Sequence, residues 1–323
     1  MTTLLVATIG GHLTQLADLM PRLDPVDDDR FWITNPSPQS ESLLAGEDVV
    51  WVPEVGSRDF RGVACSALSA RRVRRDRRPT RAISTGSGIA LGYLPYLAAR
   101  GVECHFIESA ARVEGPSLTG RLLARVPGVR MYTQYPHNAT SRYHYRGSVF
   151  DGFERIDRVA RPIERVLVTV GTIPEQFTSL VARLLPLIGA GGELERSQGR
   201  APEVVWQTGQ TDVSSFPIVA RPFVPAAELD RLVTDADLVV AHAGVGSALT
   251  ALRSGQCPVL VPRRAARAEI VDDHQVQVAE TLHRQSIAVH AEVGDLSLEV
   301  LLRAATASVV RRNVPPRFRL GPR

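Results

Sequence analysis

The residues best suited to chemistry in this 323-residue chain lie in four glycine-bearing turns. They are Gly10-Gly11-His12, Gly86-Ser87-Gly88, Gly171-Thr172 and His242-Ala243-Gly244-Val245-Gly246-Ser247. Each follows a short apolar run and precedes a segment with helical spacing. A helix N-terminus carries unpaired N–H groups and a partial positive charge, and glycine lets a phosphate approach the backbone. Any one such turn also reads as a tight strand-to-helix connection without a ligand. The turn from His242 is the strongest of the four, because Gly244, Gly246 and Ser247 would offer N–H and hydroxyl groups to a diphosphate. A dinucleotide site needs G-x-G-x-x-G after the first strand of a domain. Here the sixth position is Leu249, and neither first-strand turn has the pattern. A Walker A loop needs a lysine, and all 38 basic residues are arginine. Diphosphate binding remains, and NAD binding does not.

These turns need elements to hold them. Runs at 4–9, 31–34, 49–52, 81–84 and 104–107 read as buried strands, with helices expected at 13–23, 62–78, 89–100 and 118–125. The pattern restarts after the polar link Arg161-Pro162-Ile163-Glu164. Further strands are expected at 166–170, 204–207, 217–220, 238–241, 259–261 and 287–289. Helices fill 175–188, 226–234, 247–254, 273–284 and 296–307, while 189–202 reads as a surface loop. Unbroken apolar strands alternating with helices imply parallel sheets covered on both faces. The fold class expected is therefore α/β, with two Rossmann-like parallel-sheet domains, 1–160 and 161–312, facing a cleft. A tail, 313–323, carries Pro315-Pro316 and three arginines and is expected to be poorly ordered. Such domains place ligands at the carboxyl ends of their strands.

With 44% hydrophobic residues the chain can bury a sizeable core. Cys65, Cys104 and Cys257 are far apart with no CxxC pair, which fits a reduced, cytoplasmic setting rather than a disulfide framework or zinc site. No secretory signal is read at the N-terminus, and the most apolar stretch, 88–99, is about half the length of a bilayer span. The net charge is +4 and the pI about 9.3. Arg71, Arg72, Arg74, Arg75, Arg77, Arg78 and Arg81 crowd one stretch. They read either as a solvated helix face or as a patch resting on anionic lipid at the inner membrane surface. Nucleic acid is not an expected partner, since no aromatic residues interleave with the charges.

Several motifs together resemble a known family. Gly10-Gly11-His12-Leu13-Thr14, Ser84-Thr85-Gly86, Ile107-Glu108-Ser109-Ala110-Ala111-Arg112 and Pro116-Ser117-Leu118-Thr119-Gly120-Arg121 look like the Alg14-type half of bipartite glycosyltransferases. Val168-Thr169-Val170-Gly171-Thr172, the turn from His242 to Ser247, Val261-Pro262-Arg263-Arg264, Glu269 and Asp272-Asp273-His274-Gln275 look like the Alg13-type half. That second half is also similar to the C-terminal domain of the MurG family, of glycosyltransferase family 28 type. The chain thus resembles the two halves fused, in order, over nearly its whole length.

The resemblance implies a GT-B fold whose N-terminal domain receives the acceptor and whose C-terminal domain grips a UDP-sugar. It implies an inverting hexosyltransferase of polysaccharide biosynthesis that acts on a lipid-linked saccharide. No cofactor beyond the co-substrate and no bound metal are implied, the glycine turns taking over the diphosphate charge. The acceptor side would include Gly10, Gly11, Gly86, Ser109 and Arg112. His12 would be the base that deprotonates the acceptor hydroxyl, or else a helix cap or phosphate ligand. Glu108 is the rival base, unless it pairs with Arg112. On the donor side, Gly171, Thr172, Gly244, Val245, Gly246 and Ser247, with His242, would hold the diphosphate. Asp273, His274 and Gln275 would bond sugar hydroxyls, although Asp273 also suits a helix N-terminus. Arg263 and Arg264 would meet phosphate or an acidic sugar, or else be surface arginines. MurG-like chains carry a glutamate for the ribose hydroxyls where this sequence has Thr250, which leaves that task to Glu269 or the backbone. Transfer to a small soluble aglycone, a non-catalytic nucleotide-sugar-binding subunit and an epimerase on the same fold are the alternatives.

Overall fold

The computed structural model describes residues 1–25, 29–56 and 59–321. The chain forms two compact units, Met1–Asp151 joined by Pro315–Arg323, and Gly152–Val314.

The first unit is built on a seven-stranded parallel sheet. Its spatial order is Val49–Trp51, Arg30–Thr34, Thr3–Ala7, Arg81–Gly86, Glu103–Ile107, Val129–Thr133 and Tyr143–Tyr145. Numbered along the chain, the order is third, second, first, then fourth to seventh. The direction of winding therefore reverses between Thr3–Ala7 and Arg81–Gly86. Both central strands are buried along their whole length. That is why Leu4-Leu5-Val6-Ala7 reads as a continuous apolar run rather than an alternating one. The buried charge of Arg81 is met by Glu103 at 3.0 Å. Helices Phe60–Asp76 and Gly88–Ala98 pack together on one face around Ala70, Val73, Tyr93, Leu94 and Leu97.

The second unit repeats this logic with six parallel strands. Their order is Ala220–Arg221, Glu203–Gln207, Arg165–Thr169, Leu238–His242, Val259–Val261 and Val289–His290. Here the winding reverses between Arg165–Thr169 and Leu238–His242. A ligand site in such a sheet lies beyond the carboxyl ends of the strands at the reversal, and in each unit the glycine turns are located there.

Some elements depart from expectation. Val129–Thr133 and Tyr143–Tyr145 extend the first sheet where no strand was read, the latter being three half-buried residues at an edge. The expected loop 189–202 contains helix Glu193–Gln198, anchored by the buried Leu194. Ala307–Arg311 is a strand antiparallel to Phe153–Asp157, not the end of a helix. The tail is not loose. Phe318–Arg319 pairs with Leu23–Asp24, Phe318 is 0% exposed, and Arg22 Nε donates to the Pro316 carbonyl at 2.9 Å. None of the described helices is long and apolar enough to cross a membrane.

Candidate functional site

In the first unit, strand Thr3–Ala7 leads to Gly10, whose φ of 80° and ψ of −141° suit glycine alone. The chain then enters helix Gly11–Leu19, with His12 half-buried on its first turn. His12 Nδ1 lies 2.7 Å from the Thr85 carbonyl oxygen, and Thr85 Oγ1 donates to the His12 carbonyl at 2.8 Å. A carbonyl only accepts, so Nδ1 carries the proton and the lone pair is on Nε2. No partner of Nε2 is found among the described residues. Gly86 has φ 108°, and a Cβ there would stand 3.1 Å from His12 Nδ1. This glycine is needed both for its own backbone and for the imidazole beside it. Burial lowers the His12 pKa, the Thr85 carbonyl opposes that shift, and the charge of Arg112 adds to it. A neutral ring with a free Nε2 can take a proton from a hydroxyl.

Glu108 has a different setting. It is 3% exposed, and its carboxylate accepts from Ser109 N at 3.1 Å, Ser117 N at 3.0 Å and Ser117 Oγ at 3.1 Å. Burial raises its pKa against those hydrogen bonds. A Cβ on Gly120 would come within 2.1 Å of Glu108 Oε2, so helix Leu118–Leu123 closes over it. Residues 109–112 form a turn closed by Arg112 N, which donates to the Ser109 carbonyl at 2.9 Å, and the charge of Arg112 acts with the hydrogen bonds to lower the Glu108 pKa. Glu108 organises the 109–117 loop.

Two glutamines complete this end of the sheet. Gln15 Nε2 donates to Gly11 O at 2.9 Å and Ser109 Oγ at 3.2 Å, while its Oε1 accepts from Ala110 N at 2.7 Å and Gln134 Nε2 at 3.2 Å. Gln134 also donates to the Glu108 carbonyl at 3.0 Å and accepts from Val149 N at 2.8 Å. The sequence reading missed both. The signal available for Gln15 was a polar residue set among Leu13, Leu16 and Leu19 on the buried face of helix Gly11–Leu19.

In the second unit the turn after Arg165–Thr169 passes through Gly171, φ 83°, to the exposed Thr172. His242 ends the adjacent strand. A Cβ on Gly171 would lie 2.6 Å from its ring, and one on Gly244 would lie 2.5 Å from its Nε2. The imidazole thus fits between two glycines, with Nδ1 3.4 Å from Ser247 Oγ. Burial pushes its pKa down to about 4, helped by the charges of Arg263 and His274 and opposed by the Thr169 backbone. Helix Val245–Arg253 begins beside the ring, and no side chain caps it. The first N–H groups of a helix have no partner within it, so Val245, Gly246 and Ser247 present donors next to a neutral histidine. Gln207 supports the turn, donating to Gly171 O at 3.2 Å and Pro222 O at 3.1 Å while it accepts from Thr169 Oγ1.

The remaining donor-side residues divide. Arg263 is 0% exposed and meets backbone, not ligand: its Nη1 donates to the carbonyls of Glu175 at 2.7 Å, Gln176 at 3.1 Å and Glu269 at 3.2 Å, and its Nη2 to that of Val170 at 2.8 Å. The expected phosphate or sugar contact is therefore overturned, and so is the surface-arginine alternative. Burial draws its pKa to about 10, which still leaves it charged at neutral pH. Arg264 lies 3.6 Å from Glu292. Glu269 is turned inward, accepting from Ser179 Oγ at 2.5 Å and Arg264 N at 3.0 Å, so it does not offer a carboxylate to a ribose. Gln275 is buried and accepts from Arg263 N at 3.1 Å. Asp273 precedes helix His274–Arg284 without capping it, and accepts from Ala265 N at 2.9 Å. His274 is paired with Asp272. Thr250 is half-buried on helix Val245–Arg253, where its Oγ1 accepts from Arg253 Nη2 at 3.4 Å.

Residues 165–303 match the glycosyltransferase family 28 C-terminal domain. The chain is 43% identical over 60 residues to the UDP-N-acetylglucosamine transferase subunit ALG13 of Yarrowia lipolytica, covering 19% of this chain and 26% of that protein. It is 28% identical over 169 residues to the UDP-N-acetylglucosamine–N-acetylmuramyl-(pentapeptide) pyrophosphoryl-undecaprenol N-acetylglucosamine transferase of Cupriavidus necator, covering 51% of this chain and 45% of that protein. The chain thus spans less than half the length of either curated relative. The crystal structure of MurG from Acinetobacter baumannii superposes with a TM-score of 0.55 at 18% identity, over 94% of this chain and 88% of that one. The two Rossmann-like units are of the GT-B type.

Proposed function

We propose that the chain is an inverting, metal-independent glycosyltransferase. It would transfer a hexosyl group from a UDP-sugar to a hydroxyl of a lipid-linked saccharide at the cytoplasmic face of a membrane. The fusion of an acceptor-side, Alg14-like unit with an Alg13-like donor unit is part of this reading. The observation that carries it is the uncapped N-terminus of Val245–Arg253 beside His242, at the winding reversal of the unit that matches a glycosyltransferase domain. That terminus offers N–H donors and the positive end of a helix to a diphosphate. The relatives' names supply the substrate classes, a UDP-linked sugar and a polyprenyl-pyrophosphate acceptor.

In this mechanism His12 Nε2 takes the acceptor's hydroxyl proton as that oxygen forms its bond to C1 of the sugar. The bond from C1 to the UDP oxygen breaks, and its electron pair leaves with the β-phosphate. The N–H groups of Val245, Gly246 and Ser247 stabilise the growing negative charge. Thr85 and Gly86 keep the imidazole in the tautomer that can act. Ribose contact falls to Thr250 and the backbone, because Glu269 is already engaged. Arg263, Glu269 and Gln275 position the loops instead of touching the donor.

The test is UDP release from a panel of UDP-sugars, with and without a short-chain polyprenyl-pyrophosphate saccharide. Acceptor-dependent release supports the reading. Conversion of the UDP-sugar without an acceptor would replace it with an epimerase, and acceptor-dependent release with a soluble aglycone alone would remove the lipid-linked substrate.

A further inference from the structure

Beside the parallel sheet of the second unit, Phe153–Asp157 and Ala307–Arg311 form a small antiparallel sheet of their own. Its two edges differ. Ala307–Arg311 is held on its outer side by Gly255, whose carbonyl accepts from Val309 N at 3.0 Å, and by a bridge between Gln256 and Ser308. Phe153–Asp157 has no strand on its outer side among the described residues. Arg158 N donates to Thr306 O and Arg312 N to Gly152 O, both at 2.9 Å, so the even-numbered residues bond inward. Antiparallel bonding alternates along a strand, and the amides of Phe153, Arg155 and Asp157 therefore point outward. Arg312 Nε engages the Phe153 carbonyl at 3.2 Å. The open row is thus made by the N–H and C=O groups of Arg155 and Asp157.

Native proteins blunt such an edge with proline, a bulge or charge. Here the charges cancel, because Glu154 and Asp157 balance Arg155 and Arg158. They are also arranged to match a second copy of the strand lying antiparallel along the outward amides. The two-fold axis of such a pair passes through one residue. An axis at Glu154, Arg155, Asp157 or Arg158 sets two like charges directly opposite each other, which is destabilising. An axis at Ile156 sets Arg155 opposite Asp157 of the second copy and Glu154 opposite Arg158. It also brings Ile156, 46% exposed, against its equivalent. In that register Arg155 and Asp157 form the hydrogen-bonded pairs, and the two isoleucines form the closer non-hydrogen-bonded pair. Val159, 81% exposed, then lies opposite Phe153. Arg155 pairs with Asp157 at 3.1 Å within its own strand, and an exposed pair of this kind exchanges for a cross-strand one at little cost. Arg158 already donates to the Ala305 and Asp237 carbonyls at 3.1 and 2.8 Å, so Arg155 and Asp157 carry most of the discrimination.

We infer that the Phe153–Asp157 edge pairs with the same edge of a second copy of this chain, about a two-fold axis at Ile156. Two sheets of two strands become one of four, by an isologous contact in which each residue meets its complement twice. The edge lies at the amino end of the second unit's parallel sheet. Asp237, which directly precedes strand Leu238–His242, bonds to Arg158 there. Gly255 follows helix Val245–Arg253, about 13 Å from the N-terminus that faces the donor turns. Pairing therefore leaves those turns open, and the inference does not rest on the proposed function. One short strand buries less than a standard interface, so association is expected in the micromolar range.

The test is sedimentation equilibrium of the full chain over micromolar concentrations, for wild type, Arg155→Asp, Asp157→Arg and the double variant Arg155→Asp/Asp157→Arg. Circular dichroism and thermal unfolding confirm that each variant folds. Wild type is expected in a monomer–dimer equilibrium. Each single variant sets two like-charge pairs across the axis and dimerises at least about tenfold more weakly. The double variant exchanges the two charges and recovers the wild-type affinity. An equimolar mixture of the single variants forms a heterodimer, because the acidic edge of one faces the basic edge of the other. A wild type that stays monomeric, or single variants that dimerise as wild type does, overturns the inference. Failure of the folded double variant and of the mixture to recover dimers overturns it as well, since the register at Ile156 requires that recovery.

Discussion

Replacing Arg263 with alanine tests whether the donor turn is held from inside. The guanidinium joins four carbonyls, from Val170, Glu175, Gln176 and Glu269, and lies 4.7 Å over the Phe177 ring. These carbonyls come from two loops, one leading through Gly171 and Thr172 and the other following strand Val259–Val261. A hydrogen bond to a charged group is worth about 1.5–3 kcal/mol. Four of them share one buried cation whose own desolvation opposes them, and its Nε has no partner. Removal leaves four buried carbonyls unsatisfied at about 1–3 kcal/mol each, offset in part by the relief of the cation's own desolvation, so the net loss is about 3–5 kcal/mol. For a folding unit of this size that is a fall in Tm of roughly 10 °C. UDP affinity falls as well, because Gly171 loses its support. Arg263→Lys does not rescue, since an ammonium has no planar fork to span four carbonyls. The assay is thermal unfolding with and without UDP. A variant that melts within about 2 °C of wild type and binds UDP equally would refute the account of Arg263 as an internal tie.

The other predictions concern the titratable groups. His12→Gln lowers kcat by about 10²–10⁴ with UDP affinity unchanged. In wild type the acid limb of the pH–rate profile lies below the usual histidine range, because the ring's pKa is depressed and the basic form persists to lower pH. A profile identical in the variant would exclude His12 as the base. Glu108→Gln costs about 1–3 kcal/mol in stability, because an amide nitrogen cannot accept from Ser109 N or Ser117 N, but leaves the pH profile in place. Abolished turnover in a folded Glu108→Gln protein would restore Glu108 as the base. His242 is held neutral, with a pKa of about 4 folded against 6.5 unfolded, so the unfolded chain binds more protons between these values. Its contribution is fully present above pH 6.5 and is lost as the pH falls towards 4, about 2 kcal/mol by pH 5. Urea unfolding of wild type and His242→Gln at pH 7 and pH 5 checks this, since the variant lacks that part of the acid destabilisation.

The glycine turns were legible because buried apolar runs end at them, and glycine there meets a backbone and packing need that any homologous fold would share. Gly86 and Gly171 are read correctly as turns, but that each leaves room for a specific histidine is visible only once the neighbouring strand is in place. The strand order that brings Gly171 next to His242 is set by long-range pairing, on which local spacing is silent. Arg263 shows the opposite case. An arginine after a strand end resembles a ligand contact, and nothing in Val261-Pro262-Arg263-Arg264 reveals four carbonyls converging from distant loops. Gln15 and Gln134 carry no motif, because amides that tie backbone segments together have no preferred spacing. The tail reads as loose from its prolines and arginines, yet Phe318 is paired and buried through contacts some 300 residues away in sequence. Glu108 keeps a motif position while its hydrogen bonds show a structural task.

The central claim is a UDP-sugar donor at the N-terminus of helix Val245–Arg253. Thermal-shift titration of wild type and Gly246→Trp with UDP, GDP, ADP and dTDP tests it most directly. The account predicts stabilisation of wild type by UDP and not by the other nucleotides, lost in the variant, whose indole would fill the space in front of the open N–H groups. No stabilisation by UDP, or equal stabilisation of the variant, would contradict it.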